Sequence, residues 1–220
     1  MLSIPAAANN PWEKIYQSPK QYSYYNLLKP HEALKEIIPL FHSRNVKNIL
    51  DLGCGLGRNL IPLAYEKFNV IGVDPSSNAL QKLRKQLKKL HLNARLIKGK
   101  FQSIPMPDNS IDALISVQVL NHGTEKEVKK GIYEIARVVR PKGLIFITVP
   151  GRIANGKVRY CLVRTAQKIE ERTFVPTQGN EIGQPHFIYN KKLLFKHFQK
   201  FKIKKIWRDK KDYYCLLGEK

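Results

Sequence analysis

The chain of 220 residues contains no apolar run approaching the roughly 18 residues that a membrane-spanning helix needs. Cysteine is scarce: Cys54, Cys161 and Cys215 stand far apart, odd in number and free of metal-ligand spacing. That pattern argues against a disulfide framework and against a zinc site, so no metal is expected and a reducing, cytoplasmic setting is. The opening stretch "MLSIPAAANNPW" has neither a basic region nor a long apolar segment, and no signal peptide is expected. Internal repeats and low-complexity linkers are absent as well. Acidic residues are few, 17 against 39 Lys and Arg, leaving a net charge of +22. Net charge governs solubility and non-specific association rather than fold. Because the lysines are spread along the chain, a basic, solvated surface is favoured over a dedicated RNA-facing patch.

What is present suffices for a packed core, with 43% hydrophobic and 10% aromatic residues. After Pro30, Leu34, Ile37, Ile38 and Phe41 mark one face of a helix. Apolar strands at 48–53, 70–74, 94–99, 111–117 and 144–149 then alternate with helices. One helix, "SSNALQKLRKQLKKLHL", buries Leu80, Leu83, Leu87 and Leu90. The next carries Val128, Ile132, Ile135 and Val139 and ends at Pro141 and Gly143. Strands apolar on both faces, separated by amphipathic helices, specify an α/β fold with a parallel sheet covered on both sides. The segment 151–189 breaks the rhythm as an insertion or substrate cover, and 190–220 closes the chain with the helix "NKKLLFKHFQKF" and two strands. Their short connection at Arg208–Asp212 suits an antiparallel hairpin. One domain is expected: residues 1–29 an N-terminal arm or lid, 30–150 the core, then the cover and the hairpin.

The stretch "ILDLGCGLGRN" (49–59) is a strand running into a glycine turn. In open α/β sheets, ligands bind beyond the carboxyl ends of the strands. The spacing Gly53-x-Gly55-x-Gly57 differs from the Gly-x-Gly-x-x-Gly of a dinucleotide site, and no Walker lysine follows. Asp51, at the strand tip, would repel a pyrophosphate and attract an ammonium or sulfonium group. Asp74 ends the second strand, 17 residues past Gly57, where a carboxylate can accept both hydroxyls of a ribose. An amino acid joined to adenosine satisfies both, and S-adenosylmethionine is such a molecule.

The blocks "ILDLGCGLGRNL", "VIGVDPSSNAL", "IPMPDNSIDALISVQVLNHG" and "IYEIARVVRPKGLIFITVP" resemble the class I S-adenosylmethionine-dependent methyltransferases, in particular the type 11 group, over residues 46–150. The resemblance implies a Rossmann-like, doubly wound sheet of seven strands, mostly parallel, with an antiparallel last strand. It implies S-adenosylmethionine as cofactor and S-adenosylhomocysteine as product. Asp51, Gly53 and Gly55 would surround the methionine moiety and Gly57 shape the turn. Asp74 would hold the ribose, Pro75 or Ser76 flank the adenine, and Ser116, Val117 and Gln118 lie beside the methionyl part. Where many relatives carry an acid for the adenine amine, this chain has Gly99-Lys100-Phe101, leaving Phe101 as the adenine contact.

Methyl transfer needs chiefly an aligned nucleophile that loses its proton, so an obvious catalytic residue is not required. Two candidates exist, His122 in "VLNHGT" and His186 in "GQPHFIYN", and each has a structural alternative as a loop or packing residue. Asn121, His122, His186 and the arm tyrosines Tyr16, Tyr24 and Tyr25 are candidate substrate contacts. The cover offers Arg152, Arg159, Arg164, Arg172 and Phe174 as another wall, its cations suited to an anionic substrate or to RNA phosphates. No Asn-Pro-Pro-Tyr-like tetrad follows the fourth strand and no Pro-Cys pair is present, which disfavours adenine-amine or glutamine-amide methylation and cytosine C5 methylation respectively. The leading expectation is a small-molecule acceptor with an O, N or S nucleophile. A tRNA-base acceptor is the alternative, since aromatics and cations together stack bases and track phosphate. A non-catalytic cofactor-binding scaffold is the third.

Overall fold

A computed structural model describes residues 10–20, 28–154, 156–158 and 166–220. Seven strands form the main sheet: β1 (Asn48–Leu52), β2 (Asn69–Asp74), β3 (Arg95–Lys98), β4 (Ile111–Val117), β5 (Val139–Pro150), β11 (Lys202–Arg208) and β12 (Tyr213–Glu219). Their order is β11-β12-β5-β4-β1-β2-β3. β1 pairs parallel with β2 and β4, whereas β12 runs antiparallel between β5 and β11. The last strand is therefore the antiparallel one, as expected from the short 208–212 connection.

Alternation along the central strands sends side chains to two cores. Leu50, Leu52, Leu114, Ile145 and Ile147 pack with Val128, Ile132 and Ile135 of a helix at Glu125–Val138 and with Leu194 of one at Lys191–His197. Ile49, Ala113, Ile115 and Phe146 face the opposite way, onto helices at Leu34–Ser43, Leu60–Tyr65 and Ser77–Lys89. Period-two alternation thus divides two layers of helices between the faces of one sheet. In chain order these helices are α2 (34–43), α3 (60–65), α4 (77–89), α5 (125–138) and α6 (191–197), preceded by α1 (Pro11–Ile15).

Several boundaries differ from expectation. Val139 opens β5 rather than closing a helix, pairing with Ile111 in extended conformation. A β-branched residue shortly before Pro141 favours the strand, and the proline disfavours a helical Arg140. Leu90 lies past the end of α4 as its half-buried C-cap, leaving Ala79, Leu80, Leu83 and Leu87 as the buried stripe. Helix α6 is shorter than the pattern "NKKLLFKHFQKF", stopping at His197. The 151–189 segment folds as small antiparallel pieces. A two-stranded ribbon joins β6 (Ile153–Ala154) to β7 (Lys157–Val158), and a three-stranded sheet orders β10 (His186–Phe187), β9 (Thr173–Pro176) and β8 (Ala166–Lys168). Among the described residues no helix is long and apolar enough to cross a membrane.

Candidate functional site

A cavity of about 860 Å³ opens at the carboxyl ends of β1, β2, β4 and β5, the position the sheet topology dictates. One half is built from the glycine turn. Gly53, Gly55 and Gly57 all have positive φ, from +52° to +85°, a region that L side chains rarely adopt. Gly53 and Gly55 line the cavity. Gly57 does not, and a Cβ there would strike Leu83 of α4, so this glycine closes the turn against the helix.

Asp51 is buried beneath the turn, just behind the residues that line the cavity, and its Oδ2 has no hydrogen-bond partner. Burial pushes its carboxyl up to about 7, against the pull of the Arg58 guanidinium and a hydrogen bond from the Leu60 N–H. Arg58 lines the cavity and donates to Gln118 Oε1 at 3.2 Å. Its own pKa is lowered by burial, with Tyr16 and Asp51 opposing that shift. Asp74 also lines the cavity. Its Oδ2 accepts from the Gly55 N–H at 2.9 Å and its Oδ1 from the Ser76 N–H at 2.8 Å. Burial raises this carboxyl to about 6, although those two N–H groups favour its charged form. Each oxygen retains a second lone pair for a hydroxyl.

Pro75, Phe101, Val117 and Gln118 line the cavity as well. The Phe101 ring lies against Gly131 of α5, where a Cβ would collide with it. Two expected contacts are elsewhere. Ser76 is fully buried outside the cavity lining as the N-cap of α4, accepting from Ala79 N–H at 3.1 Å and donating to Glu13. Ser116 is likewise buried and does not line the cavity. Its side chain alternates away from the opening at the end of β4.

The arm roofs this half. Glu13 of α1 accepts from Ser76 and from the Asn78 N–H, while Lys82 holds the Tyr16 carbonyl. The Tyr16 hydroxyl rests against Gly55, and burial raises its pKa well above the ordinary phenol value. Tyr16 therefore stands over the glycine turn rather than in the far half of the cavity. Tyr24 and Tyr25, with Arg159 and Arg164, lie outside the described residues.

The other half brings together residues remote in the sequence. His122 follows β4, His186 starts β10, and Glu181 comes from the cover between them; all three line the cavity. Glu181 Oε2 is 2.9 Å from His186 Nε2 and 3.9 Å from His122 Nε2. The imidazoles meet edge to face at 5.1 Å, and Trp12 from α1 lies 4.9 Å from His122. Burial, then the neighbouring His186, lowers the His122 pKa to about 4, so its ring is neutral at pH 7. Asn121 is buried, with Nδ2 3.4 Å from His186 Nδ1. Arg172 and Phe174 do not line the cavity, nor does Arg152. Arg172 donates instead to the carbonyls of Ile188 and Tyr189, tying the cover down. Arg58 and Glu181 carried no assignment from sequence. Arg58 stood inside the recognised turn, while nothing local pointed to Glu181.

A family described as "Methyltransferase domain" matches residues 49–143, the stretch holding the glycine turn, Asp74 and β4. A probable S-adenosylmethionine-dependent methyltransferase of Mycobacterium tuberculosis is 28% identical over 107 residues. Over this stretch the chain is similar to S-adenosylmethionine-dependent methyltransferases. A sterol 24-C-methyltransferase of Pneumocystis carinii is 32% identical over 105 residues. These matches span 49% and 46% of the chain but only 37% and 27% of the two relatives. A crystal structure of a Pyrococcus horikoshii protein superposes with a TM-score of 0.71 at 21% identity, covering 96% of this chain and 95% of that one, and shows the shared fold. The matched family and its relatives imply S-adenosylmethionine as the cofactor of the matched domain.

Proposed function

We propose that this methyltransferase takes a small molecule as its acceptor and methylates an O, N or S nucleophile on it. The observation that carries the cofactor half of this reading is the unpartnered, fully buried Oδ2 of Asp51 with Arg58 nearby. A carboxylate and a guanidinium side by side suit the ammonium and carboxylate of an amino acid, and a buried carboxylate oxygen without a partner is costly until a cation meets it. On this reading Asp74 accepts from the ribose hydroxyls, Gly53, Gly55, Val117 and Gln118 border the methionyl part, and Pro75 and Phe101 flank the adenine. Tyr16 closes over the turn. Bound S-adenosylmethionine supplies the methyl carbon and a sulfonium leaving group.

The acceptor then occupies the half bounded by Asn121, His122, Glu181 and His186. Asn121 orients it, and the two histidines with Glu181 deal with the proton of its nucleophile. The size supports a small acceptor: about 860 Å³, shared with the donor, lies within the roughly 300–1,000 Å³ usual for small-molecule sites. Roofing by α1 and the cover also excludes water from the reacting groups. Incubation with radiolabelled S-adenosylmethionine and either a metabolite extract or total RNA tests the reading. Label is expected in the metabolite fraction; label in RNA alone would overturn it.

A further inference from the structure

We propose that His122, Glu181 and His186 form a binding site for a divalent transition-metal ion, of the zinc type, in the acceptor half of the cavity. Donor atoms around zinc, at bonds of about 2.1 Å, stand roughly 3–4 Å apart. Here one atom from each residue lies within 4.8 Å of the other two, with two of the pairs at 2.9 and 3.9 Å. Two histidines and one glutamate are a donor set that catalytic zinc uses with a position left open.

The hydrogen bonding points the same way. His186 Nε2 is buried and makes no hydrogen bond although Glu181 Oε2 is 2.9 Å away, so the oxygen stands out of line with a ring N–H. Asn121 Oδ1 is also buried without a partner, while Asn121 Nδ2 faces His186 Nδ1. Exchanging the two ends of that amide, an assignment that hydrogen bonding alone decides, lets His186 Nδ1–H donate to Asn121 Oδ1. Nε2 then presents a lone pair toward a carboxylate oxygen, an arrangement that repels unless a cation lies between them. Metal-binding histidines are oriented in just this manner, one ring nitrogen on a carbonyl and the other on the ion.

Among the described residues one further trio, His31, Asp209 and Cys215, has comparable composition. There His31 Nδ1 accepts from the Ala33 N–H at 3.2 Å, which leaves Nε2 to donate to Asp209 at 3.2 Å. That chain is complete, and its histidine has no lone pair to offer.

The ion would take the acceptor through a hydroxyl at its open position, where the cation favours loss of the hydroxyl proton to water. This use of the site rests on the proposed methyl transfer; the binding of the ion does not. Calorimetric titration of zinc chloride into the metal-stripped, tag-free chain is expected to give one equivalent bound. Glu181→Gln and His186→Gln should each weaken it roughly a hundredfold while retaining the wild-type circular dichroism. Cys215→Ala should bind as wild type does. The proposal is overturned if the wild type binds no stoichiometric zinc, if both cavity variants bind as tightly as wild type, or if Cys215→Ala alone loses the ion. Parallel titration with S-adenosylmethionine separates the two claims. Zinc binding without cofactor binding upholds the metal site and overturns the methyl-transfer reading, and the converse does the reverse.

Discussion

The two halves of the cavity are made in different ways. The donor half comes from one turn and the ends of neighbouring parallel strands, with Asp74 pinning Gly55 and Ser76 by backbone hydrogen bonds. The acceptor half is assembled from the loop after β4, the cover and the start of β10, joined by the Phe187 N–H on the Asn121 carbonyl and, at the site itself, by side chains. A site built from backbone on central strands depends on the sheet, so its chemistry is set wherever the sheet forms. A site built from side chains on a cover can change its acceptor without disturbing the sheet. The difference explains why the donor is assigned by family and the acceptor is not.

The largest effect expected comes from breaking the donor half at its backbone anchor. Asp74→Ala removes a charged acceptor from two backbone N–H groups, which costs about 3 kcal/mol. For a chain of this size that lowers the melting temperature by about 6–12 °C. Binding of S-adenosylmethionine should fall more than about a hundredfold through loss of the ribose contacts. Unchanged melting and binding would remove Asp74 from its assigned place.

A second, graded effect follows from acidification. Burial holds Asp51 near 7 and Asp74 near 6 in the free chain, and an ammonium or a ribose needs the ionised forms. Cofactor affinity should therefore fall as the pH drops, by about twentyfold between pH 8 and pH 6, and level off above pH 8. Calorimetry across that range checks it, with Asp51→Asn expected to flatten the upper part of the profile. A profile that rises toward acid would contradict the ammonium site.

Smaller changes should separate the halves. Trp12→Ala removes an aromatic edge from His122 and a neighbour from Tyr16, worth about 1 kcal/mol. The expected result is roughly a fivefold rise in the KM of an acceptor, once one is in hand, with kcat little changed. Least of all, Thr124→Ala removes the capping box that starts α5 and should cost about 1 kcal/mol in denaturant unfolding without altering cofactor affinity. Altered cofactor affinity in that variant would mean that the halves are coupled through α5.

The fold was legible because its central strands are apolar on both faces and its helices carry one stripe, patterns that depend only on near neighbours. Boundaries were less so. Val139 satisfies the helical spacing of Val128, Ile132 and Ile135, yet pairing with Ile111 draws it into β5. Leu90 satisfies the spacing of α4 but falls beyond its last turn. Spacing pointed to Gly53, Gly55 and Asp74, which line the cavity, and to Asp51 just behind it, because a turn and its strand tips are local. Ser76 was misplaced since capping and ligand contact call for the same residue type. Glu181 had no local signal at all: only the antiparallel pairing of β8, β9 and β10 brings it to His186 and His122.

The central claim is that the glycine turn holds an amino-acid-bearing adenosine and not a dinucleotide. Titration of the full chain at pH 8 with S-adenosylmethionine, and separately with NAD, tests it most directly. One equivalent of S-adenosylmethionine bound, displaced by S-adenosylhomocysteine, with no heat from NAD, is the predicted result. Binding of NAD at that site, or none of S-adenosylmethionine, would contradict it.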